Sequence, residues 1–404
     1  MKGGYKVLKK PNLNTSLLRK IFIAASIRRW NDQATPVEFV ELDKQAHKIV
    51  IAYILAKIEE KERNIQIDWE KLIEYFCFEF FARVVLTDIK PPVFYTLQKT
   101  YRNQLADFVI NDMQEDLKAY PFFEDMKQYL KNPPNCIENQ ILKAAHFYAS
   151  KWEFDIIYHF APFMYDVQNI KNIIDKEVES HYHLSGIQKI ILFNDYKELI
   201  TMFGQLRFQK RWSQTPRVPP TSVLGHTLIV AICGYLLSYD IHTCKQMRIN
   251  HFLCGLFHDL PEILTRDIIS PIKRSVRGLD EQIKLIEEEA VTQKILKIVP
   301  DNIAEDIKYF TQNEFSNRYK IECFTKSANA KELLEHYDSD EYSPIYGEFL
   351  KVCDLLSAFL EAKISIAHGI SSNELIDGAD NIYEKCKNIQ IRNVDIGAIF
   401  RDFI

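Results

Sequence analysis

The sequence predicts an all-α protein built as two tandem helical domains, roughly residues 14–190 and 195–404. Three observations carry this reading. The chain has only 12 glycines in 404 residues, its long Leu-, Ile-, Lys- and Glu-rich stretches hold few β signals, and it repeats itself with a spacing of 179 positions. A chain of this length also exceeds the usual size of a single hydrophobic core.

The helices are read from periodicity. Residues 48–57, KIVIAYILAK, carry apolar positions over an arc wide enough for a helix buried on most faces. Pro91-Pro92, Pro133-Pro134 and Pro219-Pro220 mark helix ends, because proline has no N–H for the preceding turn. A hydrophobic share of 47%, with 12% aromatics, supplies ordinary buried cores. No run of 18 apolar residues occurs, so no membrane span is expected. The segment Met1–Lys6 lacks an apolar core, so no signal peptide is expected. The eight cysteines are scattered without a CxxC pair, which fits reduced thiols and a cytoplasmic location. A net charge of −4 gives no general attraction to nucleic acid. No G-x-x-x-x-G-K-[ST] loop is present, which argues against ATP-driven chemistry.

The repeat places His47 over His226 and Phe78-Glu79-Phe80 over Phe257-His258-Asp259 without a gap, and continues to Asp88 over Asp267 and Pro92 over Pro271. Arg29-Trp30 matches Arg211-Trp212 after a shift of three, and His146 falls over Asp354 with the spacing shortened. The copies are unequal in chemistry. In the first, Phe80 cannot ligate a metal, and Arg83, over Glu262, cannot act as an acid or base at neutral pH. The first domain is therefore expected to be an inactive packing partner. The trio His47, Glu79 and His146 leaves open a relic ligand site, and Arg28, Arg29 and Arg83 a phosphate contact.

The second copy holds the stretch around which the chain is organised, Leu-Phe-His258-Asp259-Leu-Pro-Glu262-Ile-Leu-Thr265-Arg-Asp267. His226 lies 32 residues upstream of His258, and Asp354 lies 95 residues after Asp259. Two imidazoles and two carboxylates make an N2O2 set suited to a borderline divalent metal. Adjacent residues cannot share a helix face by i,i+4 spacing, but His258 and Asp259 can converge at a helix end.

In this ordered set the sequence resembles the HD-domain phosphohydrolases, and within them the 5'-deoxynucleotidase branch, over roughly residues 205–375. The resemblance rests on Arg211-Trp212 before the first His, on His258-Asp259 followed by Glu262, Leu264-Thr265-x-Asp267 and Pro271-x-Lys273, and on Asp354-x-Leu-Ser-Ala-x-Leu-Glu. It implies His226, His258, Asp259 and Asp354 as ligands of one divalent ion (Mn, Co, Zn, Ni or Fe). It also implies Glu262 and Asp267 as catalytic carboxylates, with Arg211, Trp212, Thr265 and Lys273 toward the substrate. The implied reaction removes the 5'-phosphate of a deoxynucleoside monophosphate by attack of water activated at the metal. Arg211 would clamp the phosphate with its planar fork, and Trp212 would pack on the sugar. The expected partner is a small-molecule nucleotide rather than nucleic acid or membrane. The pairing is either a homodimer or its counterpart within one chain. Alternatives are a phosphodiesterase or nuclease, a dNTP triphosphohydrolase, and a nucleotide-sensing or partner-binding protein.

Other polar residues near the motif are expected to be structural. His242 and His251 read as packing histidines, Glu361 as a packing or salt-bridge residue, and Glu287-Glu288-Glu289 as a solvated helix face. The interval before Asp354 is longer than in single-copy members of the family. Its extra part, about residues 313–346, is expected to cap the pocket.

Overall fold

The computed structural model describes residues 8–87, 89–266 and 276–403. It is mostly helical, with 67% of the chain in helices. The first half contains α1 (Thr15–Ile23), α2 (Glu41–Arg63), α3 (Trp69–Leu86), α4 (Pro91–Leu117), α5 (Phe123–Lys131), α6 (Ile137–Phe160), α7 (Val167–Glu179) and α8 (Ser185–Leu192). The second contains α9 (Asn194–Gln205), α10 (Val223–Asp240), α11 (Lys245–Phe257), α12 (Glu262–Thr265), α13 (Leu279–Lys294), α14 (Asp301–Thr311), α15 (Ala330–His336), α16 (Gly347–Ala367), α17 (Asn373–Cys386) and α18 (Gly397–Arg401). Among the described residues, strands form only two-stranded antiparallel hairpins: Arg28–Arg29 with Phe39–Val40, Arg318–Ile321 with Phe324–Ser327, and Gln390–Ile391 with Val394–Asp395.

The middle of the molecule is occupied by α2 and α10, each buried along nearly its whole length. By length and composition α10 could cross a membrane, but 94% of it is buried inside the protein, as befits a central core helix. Its N-terminus is fixed by Ser222, whose side chain accepts the Gly225 N–H. The next helix, α11, crosses α10 at unusually short range. A Cβ on Gly255 would lie 2.8 Å from the Ala231 backbone, so a side chain there would force the two helices apart.

The two halves share one continuous core. Polar contacts also join them. Ser222 Oγ donates to Asp43 Oδ1 at 2.5 Å, Tyr53 OH to Asp306 Oδ2 at 2.7 Å, and Arg248 Nη2 to Glu70 Oε1 at 2.7 Å. Although α9 lies beyond residue 190 in sequence, it packs on α2, where His47 Nε2 donates to the Ile200 carbonyl at 2.9 Å.

Local hydrogen bonds recur between the halves, at a spacing other than 179. Glu41 N–H bonds Ile27 O, and Val223 N–H bonds Gln209 O, both at 2.9 Å. Gln33 N–H bonds Trp30 O, and Thr215 N–H bonds Trp212 O. Arg28 pairs with Val40, and Lys210 with Ser222. Each such pair of residues is 182 positions apart. Trp30 and Trp212 even share a left-handed backbone, with φ of 56° and 54°. These contacts recur at 182 and not at the 179 read from the sequence, and at 182 Lys44 rather than His47 falls over His226. The physical reason is helix length. With 23 residues against the 18 of α10, α2 cannot keep one offset at both ends.

His251, expected to be structural, links three helices. Its Nδ1 meets Ser238 Oγ at 2.7 Å and its Nε2 accepts the Tyr346 N–H at 3.0 Å. Burial, with the Arg318 charge behind it, lowers its pKa from 6.5 to about 3. The unfolded chain therefore binds a proton between pH 6.5 and 3 that the fold refuses, so this contribution is complete above pH 6.5 and is lost as pH falls toward 3. We expect urea-unfolding free energies measured between pH 7.5 and 5 to fall by roughly 1.4 kcal/mol per pH unit from this group once below its unfolded pKa. His251→Gln should show a slope shallower by about that amount, and an unchanged slope would contradict the assignment.

Candidate metal centre

The helices above deliver four predicted ligands to one place. His226 lies in the first turn of α10, His258 caps the C-terminus of α11, and Asp259 follows where the chain turns away. Asp354 comes from inside α16, two turns after its start at Gly347, and not from a helix N-terminus. Ligand atoms of His226, His258 and Asp259 lie within 4.8 Å of one another. His258 Nε2 is 3.2 Å from Asp259 Oδ1, and His226 Nε2 is 3.8 Å from Asp259 Oδ2. Asp354 stands outside that trio but touches it, with Oδ1 3.0 Å from His226 Nε2.

Both imidazoles are tied back through the ring nitrogen that faces away. His258 Nδ1 donates to the Gly255 carbonyl at 2.8 Å, and His226 Nδ1 meets Ser357 Oγ at 2.9 Å. A carbonyl only accepts, so the His258 proton sits on Nδ1 and its Nε2 lone pair faces Asp259, and Ser357 Oγ can accept from His226 Nδ1 in the same way. His258 Nε2 and Asp259 Oδ2 are buried without a hydrogen-bond partner among the described residues. Buried acceptors of this kind are costly unless something electropositive satisfies them. The donor set therefore fits a divalent cation. Burial opposes ionisation of Asp354, but Lys351, 2.8 Å from Oδ2, and the Arg211 charge hold its pKa well below the usual carboxylate range.

Behind the ligands sits a network centred on Glu361, read from the sequence as a packing or salt-bridge residue. Glu361 is buried on α16 and accepts from Trp212 Nε1 at 2.9 Å and Thr221 Oγ1 at 2.8 Å. Arg211 spans the network and the site, with Nε 3.5 Å from Glu361 and Nη1 3.7 Å from Asp259. Trp212 is committed to this network through its N–H, and its ring edge lies against Gly378 of α17, where a Cβ would come within 2.6 Å. Arg217, which the motif did not single out, is 3.9 Å from Glu361.

On the open side, Glu262 is buried at the start of α12 and lines a cavity of about 80 Å³ beside His258 and Asp259. Glu287 and Glu288 also line it, which corrects their reading as a solvated face. The α13 helix turns them inward, where Thr265 Oγ1 donates to Glu287 at 3.0 Å. The described contact of Thr265 is thus with a helix carboxylate. Glu314 lines the same cavity, and Phe315 packs 5.8 Å from the His258 ring, so the start of the 313–346 interval does border the site. Buried Arg318 shapes that segment by donating to the carbonyls of Tyr309, Asn313, Glu314 and Ser316. Asp267 and Lys273 lie outside the described residues.

His47, Glu79 and His146 do not converge. His47 faces Ile200 and Trp152, Glu79 pairs with Lys48 and Tyr129, and His146 Nδ1 meets Lys44 Nζ at 2.6 Å. The trio is thus dispersed, with His47 one turn beyond Lys44 along α2.

With this geometry in hand, the relatives of the region can be placed. Residues 203–383 match the family described as HD domain, so the C-terminal half carries an HD domain. Its similarity to 5'-deoxynucleotidases is distant. The chain is 34% identical over 109 residues to a 5'-deoxynucleotidase of Photobacterium profundum, covering 26% of this chain and 54% of that protein. It is 28% identical over 142 residues to one of Shewanella oneidensis (32% and 68%) and 25% over 176 residues to one of Yersinia pestis (43% and 75%). The chain thus spans about half to three quarters of the length of these relatives.

Titration with Co²⁺, followed by calorimetry, should show one equivalent bound per chain. His258→Ala or Asp259→Ala should weaken binding at least tenfold, whereas His47→Ala and His146→Ala should leave affinity within twofold of the parent.

Proposed function

We propose that the C-terminal half hydrolyses a phosphate ester of a nucleotide, most simply the 5'-phosphate of a deoxynucleoside monophosphate. The observation that carries this is the compact His226, His258 and Asp259 group, both rings tied back at Nδ1, within a region similar to 5'-deoxynucleotidases. A divalent ion held by these residues and Asp354 would act as a Lewis acid, acidifying water and offsetting charge on phosphoryl oxygens.

The protein's own groups supply the rest. Glu262, which lines the cavity with Asp259, would take a proton from the attacking water. Arg211 presents a guanidinium next to Asp259, where phosphate charge would gather. Lys284 and Lys308 line the same cavity as Glu287 and Glu288 and would add positive charge there. Lys351 adds a further cation at Asp354. By the motif, Asp267 and Lys273 would complete the catalytic and substrate contacts.

We read residues 14–190 as a second bundle of the same plan that has lost its ligands. The 182 spacing sets Lys44 at the place of His226. Asp68 and Cys244, the residues that cap α3 and α11, are 176 apart, which sets Arg83 at the place of Asp259. Lys44 meets His146 as His226 meets Asp354. Cations thus stand where a cation would bind, and the two halves would pair within one chain.

A panel of nucleoside mono-, di- and triphosphates with Mn²⁺, Co²⁺ or Zn²⁺ tests the reading. Inorganic phosphate should be released from deoxymonophosphates, and Asp259→Ala should abolish it. Glu262→Gln should lower kcat by about 10²-fold or more. Release of triphosphate would identify a triphosphohydrolase. No release from any nucleotide would remove the proposed substrate.

A further inference from the structure

We propose that Glu361 is a positioning residue for the metal centre: from behind the site it holds the His226 ring and the Arg211 guanidinium in register with Asp259. The proposal rests on the metal-site reading above and deepens it.

Glu361 carries a full charge in the interior, a placement that is strongly unfavourable unless every lone pair is used. They are used. Oε2 accepts from Trp212 Nε1 at 2.9 Å and faces Arg211 Nε at 3.5 Å and Arg217 Nη1 at 3.9 Å. Oε1 accepts from Thr221 Oγ1 at 2.8 Å and lies 3.6 Å from His226 Nδ1. One carboxylate therefore touches both the residue that aims at Asp259 and the rear of a ligand ring. Its negative charge favours a proton on His226 Nδ1, which keeps Nε2 unprotonated and directed at Asp354 and Asp259. Ser357 Oγ, on the same helix, completes the cradle at 2.9 Å.

The first half contains a built-in comparison. Glu153 of α6 accepts from Trp30 Nε1 at 2.9 Å, Arg29 Nε at 2.9 Å and Arg207 Nη1 at 2.7 Å. Glu153 and Glu361 are 208 positions apart, as are His146 and Asp354. The Arg–Trp–Glu arrangement is thus present where the metal ligands are replaced, so part of its work is structural. The two versions differ in what they reach. Arg29 is held on both sides by carboxylates, Glu41 at 2.8 Å and Glu153 at 2.9 Å, and the described contacts of Glu153 do not include Lys44. In the second half the contacts to Arg211 are longer, and the carboxylate also faces a ligand histidine.

The test compares Glu361→Gln with Glu153→Gln in the full chain, with Co²⁺ affinity and visible spectrum read beside the melting temperature. Glu361→Gln should weaken Co²⁺ binding 10- to 100-fold, in the range seen for outer-shell partners of metal ligands, and change the spectrum. Glu153→Gln should lower the melting temperature while leaving affinity within twofold and the spectrum unchanged. Should Glu361→Gln fail to fold, Glu361→Asp keeps the charge but withdraws it by one methylene, and at least a tenfold loss of affinity is again expected. Parent-like Co²⁺ affinity in the folded Glu361 variant, or an equal loss of affinity in the Glu153 variant, would overturn the proposal. Because metal binding is read directly, a wrong substrate assignment leaves the outcome interpretable. If deoxymonophosphates are turned over, Glu361→Gln should also raise KM through Arg211.

Discussion

The site depends on one close crossing of two helices. At Gly255 the α11 backbone meets Ala231 of α10 at a distance no side chain would permit. A larger residue would push α11 outward and carry His258 away from His226, whose rings now lie 5.8 Å apart. The same residue supplies the carbonyl that orients the His258 ring. One glycine thus sets both the separation of the imidazoles and the tautomer of one of them, which makes the packing of the core inseparable from the chemistry at its edge.

Around that crossing the protein buries charge in a disciplined way. Burial opposes ionisation of Glu361, but Arg211 and Arg217 keep its pKa far below the usual carboxylate range. The first half does the same at Glu41, where Arg29 and Arg83 outweigh burial. Such clusters add little net stability over a hydrophobic core of the same shape, but they are intolerant of losing one partner. They therefore specify geometry, which suits a site whose ligand atoms must agree to within fractions of an ångström. In the first half the cations Lys44, Lys48 and Arg83 meet His146, Glu79 and Glu41 among the protein's own side chains.

Much of this was legible in the chain because it depends on residue type. Scarce glycine and amphipathic periodicity report helices directly, and the helical content follows them. His226, His258, Asp259 and Asp354 stand out because few side chains can ligate a metal. Other features were hidden for physical reasons. The 182 spacing of the recurring local hydrogen bonds was not legible, because α2 outgrows α10 and an ungapped comparison averages over the difference. Glu361 read as a packing or salt-bridge residue, but its partners were not legible, because a carboxylate two turns along a helix carries no mark of what lies opposite. Glu287 and Glu288 read as solvent-facing because three consecutive glutamates usually are, and only the placement of α13 turns two of them inward.

By itself the sequence determined that the protein is helical, that its second half carries an HD domain, and which side chains could ligate a metal. These are properties of residue chemistry and short-range order, and neither needs the rest of the chain. Tertiary structure alone decided that His226 meets Asp354 across 128 positions, that Lys44 meets His146, and that one buried carboxylate backs both Arg211 and a ligand ring. Those relations arise from how helices of unequal length pack against one another, and no local run of residues encodes a distance between two helices.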